Sequence, residues 1–308
     1  MSWNEDRLHA WLSRRDRPAQ LVGSSGHDAA VLRAPRGART VTCTDQVIEG
    51  VHVTSQARPS QVGAKAVLRT LSDLAATAAR PRCVLLAVRC SNERDDRFLR
   101  SLIQGASQAA ESCGAELVGG DLALAPGPFG LTVTAIGDLD GRKRPVGRDR
   151  GRAGQVLVAS GSFGGSLGGR HMRPCPRLAE GQALWKAGAT ALIDVSDGLA
   201  RDLHRLASAS GLDAHLEQVP IHADARRASR TSGRSPREHA LFDGEDHELI
   251  GSLPRASALR WLESNPKGTR LGRLVPRARA GRSTLWVTGP GDSLVALEDP
   301  GGYVHGAT

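Results

Sequence analysis

The chain has 308 residues, 41 Lys and Arg against 32 Asp and Glu for a net charge of +9, and only 3% aromatic residues. That length can bury a substantial core in one large domain or two of about 150 residues, without help from disulfides or zinc. The five cysteines (Cys43, Cys83, Cys90, Cys113 and Cys175) are odd in number and contain no C-x-x-C pair, which speaks against a secreted disulfide framework and predicts reduced thiols in a cytoplasm.

Residues 1–20 read as a polar helix, and the opening Met-Ser-Trp-Asn-Glu-Asp-Arg has neither a basic n-region nor an apolar h-region, so no signal peptide is expected. A Gly/Ser turn at 23–26 leads into two short strands, 28–32 and 40–44. Over 60–79, Val62, Ala66, Val67, Leu71, Leu74, Ala75 and Ala78 recur at helical spacing. A strand at 83–88, a helix at 98–113 closed by Gly114 and a strand at 131–136 follow. The charged, Gly-rich stretch 138–154 marks the boundary between a domain of residues 1–140 and one of residues 141–308. The second domain opens with a strand at 155–159 running into the glycine-rich 161–169. A helix at 178–187, a strand at 191–194 and a helix at 198–210 come next, and short elements alternate from 252 to 308. Strands often adjoin one another rather than alternating with helices, so the expected class is α+β. No apolar run approaches the roughly 20 residues of a membrane span.

The positive excess is mostly Arg, concentrated in loop-like stretches at 142–152, 226–237 and 277–282. With no RNP-type aromatic motif and no helix-turn-helix pattern, it reads as solvated surface, and no nucleic-acid partner is expected.

The chemistry lies in a series of aspartates at the ends of apolar segments: Asp28, Asp45, Asp73, Asp121, Asp194 and Asp197. Taken singly, each is an ordinary helix cap or turn residue. Together, six carboxylates beside surface that should be buried demand compensation. With no matching Lys nearby, hard divalent cations such as Mg²⁺ bridging to nucleotide phosphates are the expected answer. There is no Walker A motif and no protein-kinase signature, and the 161–169 run is either a phosphate-admitting turn or simply a tight turn.

The order Gly-His-Asp-Ala-Ala-Val (26–31), Thr-Asp-x-x-x-Glu-Gly-Val-His (44–52), Leu-Ser-Asp-Leu-Ala-Ala (71–76), Gly-Gly-Asp (119–121), Ile-Asp-Val-Ser-Asp-Gly-Leu (193–199) and Gly-Glu-Asp-His-Glu-Leu (244–249) resembles thiamine-monophosphate kinase. That family belongs to the superfamily of aminoimidazole ribonucleotide synthase and selenophosphate synthase. The resemblance implies a two-domain α+β architecture in which the N-terminal domain binds ATP and magnesium and pairs with its twin in a homodimer. It implies ATP-dependent phosphorylation of thiamine monophosphate to thiamine diphosphate, with several Mg²⁺ ions and no membrane partner. Asp28, Cys43 (through its carbonyl), Thr44, Asp45, Asp73, Asp121, Asp194 and Asp197 fall on metal positions. Gly120, Arg148 and Ser196 fall on ATP positions, and His52, Glu245 and Tyr303 on thiamine-phosphate positions. Asp45, Asp197 and Arg148 are the expected catalytic residues. A superfamily enzyme with another acceptor, or a catalytically impaired ATP-binding homologue, is the alternative. The sequence departs from the family at His27, where a second Asp is usual, and in Ala-Thr-Ala-Ala (76–79), where Ala-Met-Gly-Ala is usual. It departs also in a segment shortened by roughly a helix between the 161–169 turn and Arg173-Pro-Cys-Pro-Arg177.

Overall fold

The structure, a computed structural model, describes residues 11, 19, 32 and 35–303, apart from 92–93, 142–143, 279–282, 290 and 292. Those three positions aside, the elements expected over 1–20 and 28–32 lie outside the described residues, as do His27 and Asp28. The chain forms two compact units, Met1–Leu74 with Ala79–Lys143, and Ala75–Ala78 with Arg144–Thr308.

The first unit is a four-stranded sheet of β1 (Ala38–Ile48), β2 (Arg80–Cys90), β3 (Glu116–Leu124) and β4 (Gly130–Asp140) in the order β1-β4-β2-β3, with helices α1 (Pro59–Ala76) and α2 (Asp96–Ser112). Strand period two divides the sheet. Leu131, Val133 and Ala135 are buried on one face, and the residues between them are half exposed on the other. On α1, Val62, Ala66, Val67, Leu71 and Leu74 all lie within the core, as their spacing predicts. The backbones of α1 and α2 come close enough that a Cβ on Gly63 would lie 2.0 Å from the Leu102 carbonyl oxygen, and one on Gly105 2.0 Å from that of Ser60. Asp95 caps α2 by accepting from the Phe98 N–H, and Gly114 ends it at φ +75°.

The second unit is a seven-stranded sheet in the order β11-β10-β7-β9-β5-β8-β6. Its strands are β5 (Val156–Ala159), β6 (Ala191–Asp194), β7 (Asp213–Leu216), β8 (Leu249–Leu253), β9 (Thr269–Val275), β10 (Leu285–Thr288) and β11 (Leu294–Leu297). Its helices are α3 (Leu178–Lys186), α4 (Leu199–Ala209), α5 (Ala223–Ser232), α6 (Pro236–Phe242) and α7 (Arg255–Ser264). Only the β10–β7 pair is parallel. Leu199, Leu203 and Leu206 of α4 join Leu157, Ile193, Leu216, Ile250, Leu271 and Leu274 in one core; burying each such side chain contributes about 1.5–3 kcal/mol.

The fold is α+β with mixed sheets, as expected. Strands β3, β7 and β8 and helices α5 and α6 go beyond the sequence reading. The Gly119-Gly120 pair makes β3 a poor strand by propensity, yet it pairs in parallel with β2. α6 carries a legible start in its Ser235/Glu238 capping box with Pro236 behind the cap. Among the described residues no helix is long and apolar enough to cross a membrane. No disulfide joins the cysteines among the described residues.

Candidate active site

In the second unit β6 ends at Asp194, and residues 195–198 carry the chain into α4. The 243–248 loop returns alongside. The Glu245 N–H donates to the Ser196 carbonyl at 2.7 Å, the His247 N–H to that of Val195 at 2.8 Å, and the Val195 N–H to that of Glu248 at 2.8 Å. To make these bonds Glu245 and His247 adopt φ of 60° and 52°, left-handed values that cost a non-glycine residue about 1–2 kcal/mol each. A third segment docks on the same loop. The Tyr303 N–H donates to the Asp197 carbonyl at 3.1 Å, and Arg201 Nη1 holds the Gly301 carbonyl at 2.9 Å. Gly302, at φ +82°, fits only because it lacks a Cβ, which would lie 2.3 Å from the Asp197 carbonyl oxygen. Asp194, Ser196, Asp197, Glu245 and Tyr303 are therefore gathered by neighbouring loops.

Two residues absent from the sequence reading set the electrostatics of this loop. Asp202, buried in the first turn of α4, accepts from the Ser196 and Asp197 N–H groups at 3.0 and 2.9 Å. Burial pushes its carboxyl up to about 6, against the Asp197 N–H that favours the ionised form. Arg205 Nη1 then bridges Asp197 Oδ2 at 2.5 Å and Asp202 Oδ1 at 2.8 Å. An acidic residue on the apolar stripe of an amphipathic helix was the available signal for Asp202.

The glycine-rich 161–169 segment resolves as a tight turn pinned by protein carboxylates. The Gly164 N–H donates to both Asp246 oxygens at 3.0 and 2.9 Å, and the Gly165 N–H to Asp243 Oδ2 at 2.9 Å. Arg170 clamps Asp246 at 2.9 Å and Asp224 at 3.0 Å. These two N–H groups are engaged within the protein rather than presented to a phosphate. Burial pushes the Asp246 carboxyl up to about 7, against the pull of Arg170. Glu248 is held in turn by Ser160 and by both arms of Arg177.

The first unit distributes its predicted residues differently. Asp45 shares a row with Val133, Leu86 and Gly120, whereas Asp121 shares the next row with Ala87, Thr132 and Gln46. Adjacent rows point to opposite faces, so the register puts Asp45 on the helix-covered face and Asp121 on the open one. Asp45 accepts from Arg69 Nε of α1 at 2.5 Å, while Asp121 makes no hydrogen bond or ion pair among the described residues. Cys43 shares the Asp45 face, its thiol donating to the Thr70 carbonyl at 3.3 Å. The Thr44 hydroxyl, on the open face, reaches the Val133 carbonyl at 3.1 Å. Asp73 is half-buried in the last turn of α1. Gly120 is required by packing, since a Cβ there would sit 1.9 Å from the Leu86 carbonyl oxygen. His52 accepts from the Ile48 N–H at Nδ1 (3.1 Å), which assigns the proton of the neutral ring to Nε2, and buried Lys65 donates to its carbonyl at 2.8 Å.

The Arg148 backbone lies at the other end of α4. Its carbonyl accepts from Ser210 at the C-terminal end of α4, and Gly147 bridges to Ala191 at the far end of β6. Asp197 precedes the opposite end of α4, an 11-residue helix about 16 Å long. Two of the aspartates are also compensated within the protein. Arg69 and Arg205, supplied by the fold from elsewhere in the chain, pair with Asp45 and Asp197.

Among the described residues no three His, Cys, Asp or Glu side chains converge as a metal cage. The donor set still suits magnesium. That ion takes one or two carboxylates and completes its shell with water and substrate phosphate, and Asp194 and Asp197 supply hard oxygens on one loop.

Residues 26–139 match the family described as AIR synthase related protein, N-terminal domain. A thiamine-monophosphate kinase of Rhodopirellula baltica is 36% identical over 99% of this chain and 98% of its own. The chain belongs to the thiamine-monophosphate kinase family. The crystal structure of thiamine-monophosphate kinase from Stenotrophomonas maltophilia is similar at a TM-score of 0.76 and 30% identity, over 92% of this chain and 97% of that one. A structure described as AaThiL complexed with AMPPCP and TMP is similar at 0.74 and 27%, over 83% and 85%.

One departure from the usual thiamine-monophosphate kinase pattern has a clear structural consequence. Ala78 stands where Gly is usual and takes φ +56°. It closes α1 with the Ala78 N–H on Ala75 O (3.0 Å) and the Ala79 N–H on Leu74 O (2.9 Å), a helix end that glycine adopts without the Cβ penalty.

Proposed function

We propose that this chain transfers the terminal phosphoryl group of ATP to the phosphate of thiamine monophosphate, giving thiamine diphosphate. The observation that carries the reading is the gathering of Asp194, Ser196, Asp197, Glu245 and Tyr303 on neighbouring loops, in a chain similar over nearly its whole length to a kinase of that name.

The acceptor oxygen is already anionic at neutral pH, so the reaction needs no protein nucleophile and no strong base. What it needs is relief of repulsion between two polyanions and an in-line geometry. Asp194 and Asp197 in the second unit are assigned to magnesium, and Asp45, Asp73, Asp121, Thr44 and the Cys43 carbonyl in the first are assigned to metal by the same family pattern; bound ions would neutralise phosphate charge. Asp202 and Arg205 fix the Asp197 loop from behind, through the bonds given above. Ser196 and Gly120 are assigned to ATP. His52, with its proton on Nε2, Glu245 and the Tyr303 hydroxyl are assigned to the thiamine side. Arg148 is left out of this assignment because the end of α4 it occupies is the wrong one.

A homodimer pairing through the first unit belongs to the same proposal, supported by the half-exposed face of its sheet that carries Thr44, Gln46, Thr132 and Thr134. Gel filtration at twice the chain mass is its expected result. A cytoplasmic setting belongs to the same proposal, on the odd cysteine count without a C-x-x-C pair.

The deciding test is chromatography of thiamine monophosphate incubated with ATP and Mg²⁺. Thiamine diphosphate that appears and is abolished by EDTA is the expected outcome. Magnesium-dependent ATP binding without product would transfer the assignment to another acceptor.

A further inference from the structure

His247 lies within the Gly-Glu-Asp-His-Glu-Leu run and was given no role above. It is 1% exposed, and neither ring nitrogen makes a hydrogen bond among the described residues. Native proteins leave few buried polar groups in that state, and each calls for a reason. The backbone holding the ring is left-handed at φ 52°, so the fold accepts strain to put it there. The strain has a direction. The His247 N–H is bonded to the Val195 carbonyl at 2.8 Å, one residue after Asp194, and Nδ1 lies 3.7 Å from Asp194 Oδ2. That separation is beyond hydrogen-bond length but within a small side-chain adjustment of it. Asp194 is itself buried at 4% exposure.

We propose that His247 is a positioning residue for Asp194. When the carboxylate carries a cation, the ring donates its Nδ1–H to Oδ2 and fixes the orientation in which the other oxygen faces the metal. This inference rests on the assignment of Asp194 as a magnesium ligand. Histidine and carboxylate partners just outside the ligand shell have this role in metal sites generally, and their loss weakens metal binding. An imidazole with both nitrogens idle before the metal arrives is what such a device requires.

The test is calorimetry of Mg²⁺ binding to the full chain saturated with a β,γ-methylene ATP analogue, comparing wild type with His247→Asn, His247→Gln, His247→Leu and Asp194→Asn. The Asn amide nitrogen reproduces the Nδ1 donor, whereas that of Gln reproduces Nε2. His247→Leu and His247→Gln are expected to weaken Mg²⁺ binding by about tenfold or more, with His247→Asn staying within about threefold of wild type. Melting in EDTA is the companion readout. The leucine variant is expected to melt at or above the wild-type temperature, because it removes a buried polar ring that the metal-free protein leaves unbonded. Unchanged Mg²⁺ affinity in His247→Leu overturns the proposal, and so does an Asn variant as impaired as the Gln variant. Should the leucine variant not fold, the Asn and Gln pair decides alone. Asp194→Asn separates the two levels. Lost affinity there with intact affinity in His247→Leu rejects only the role of His247, whereas intact affinity in Asp194→Asn rejects the metal assignment beneath it.

Discussion

The two units solve the same problem, holding carboxylates beside apolar surface, in opposite ways. The second gathers its candidate residues on loops, where Asp194, Ser196 and Asp197 follow one another and the 243–248 and 301–303 segments bond to their backbone. The first mounts Cys43, Thr44, Asp45 and Asp121 on strands, where the pleat sends Asp45 and Asp121 to different faces of one sheet. A loop can bring several side chains to one point within a few residues. A strand can offer only every second residue to a given face.

The sharpest test of that contrast compares Asp197→Asn with Asp45→Asn. Asp197→Asn is expected to reduce turnover of thiamine monophosphate by about three orders of magnitude, the scale of ~4 kcal/mol of lost charge stabilisation. Asp45→Asn should also depress turnover, but with a stability loss of about 1–3 kcal/mol, because it leaves a mostly buried Arg69 without its carboxylate. Equal melting temperatures with equal turnover losses would erase the distinction between the units.

A second test concerns pH. Burial lifts the folded-state value of Asp246 to about 7, from about 4 in an unfolded chain. The folded protein therefore keeps a proton that the unfolded chain has lost. The resulting stability is full below about pH 4 and is lost as pH rises through about 7, by up to roughly 4 kcal/mol. Denaturant titrations across that window are expected to show the decline, and Asp246→Asn should flatten it. A profile identical in wild type and variant would mean that Arg170 keeps the carboxylate ionised throughout.

Arg205→Leu comes next. It removes the bridge between Asp197 and buried Asp202, and a loss of about 1–3 kcal/mol is expected in urea melts. A smaller effect, about tenfold in the acceptor KM with the KM for ATP preserved, is expected from Gly302→Ala, since the added Cβ pushes Tyr303 away from Asp197. An ATP-side defect in that variant would move Tyr303 to the nucleotide. The smallest effect is a gain. Ala78→Gly relieves the φ +56° helix end and is expected to raise stability by about 1 kcal/mol.

The helical register of α1, the extent of β6 and the Asp194–Asp197 motif were all legible in the sequence, because apolar spacing and local motifs encode them directly. The partners of the aspartates were not. A search along the chain for nearby Lys misses Arg69, 24 residues from Asp45, and passes over Arg205, one helical turn inside α4. The glycine run at 161–169 left a phosphate cradle and a tight turn equally open. Only Asp243 and Asp246, some 80 residues later, decided for the turn.

What the sequence determined by itself is the chemistry: which residues carry hard oxygen donors, in what order, and the family to which that order belongs. What only the tertiary structure decided is direction. Strand register fixed the faces of Asp45 and Asp121, the Arg148 carbonyl was set at the end of α4 away from Asp197, and His247 was given a left-handed backbone with Nδ1 3.7 Å from Asp194 Oδ2. Composition and motif order are properties of the chain, but the vector of a side chain depends on pairings between residues far apart in it, and those exist only once the sheets have closed.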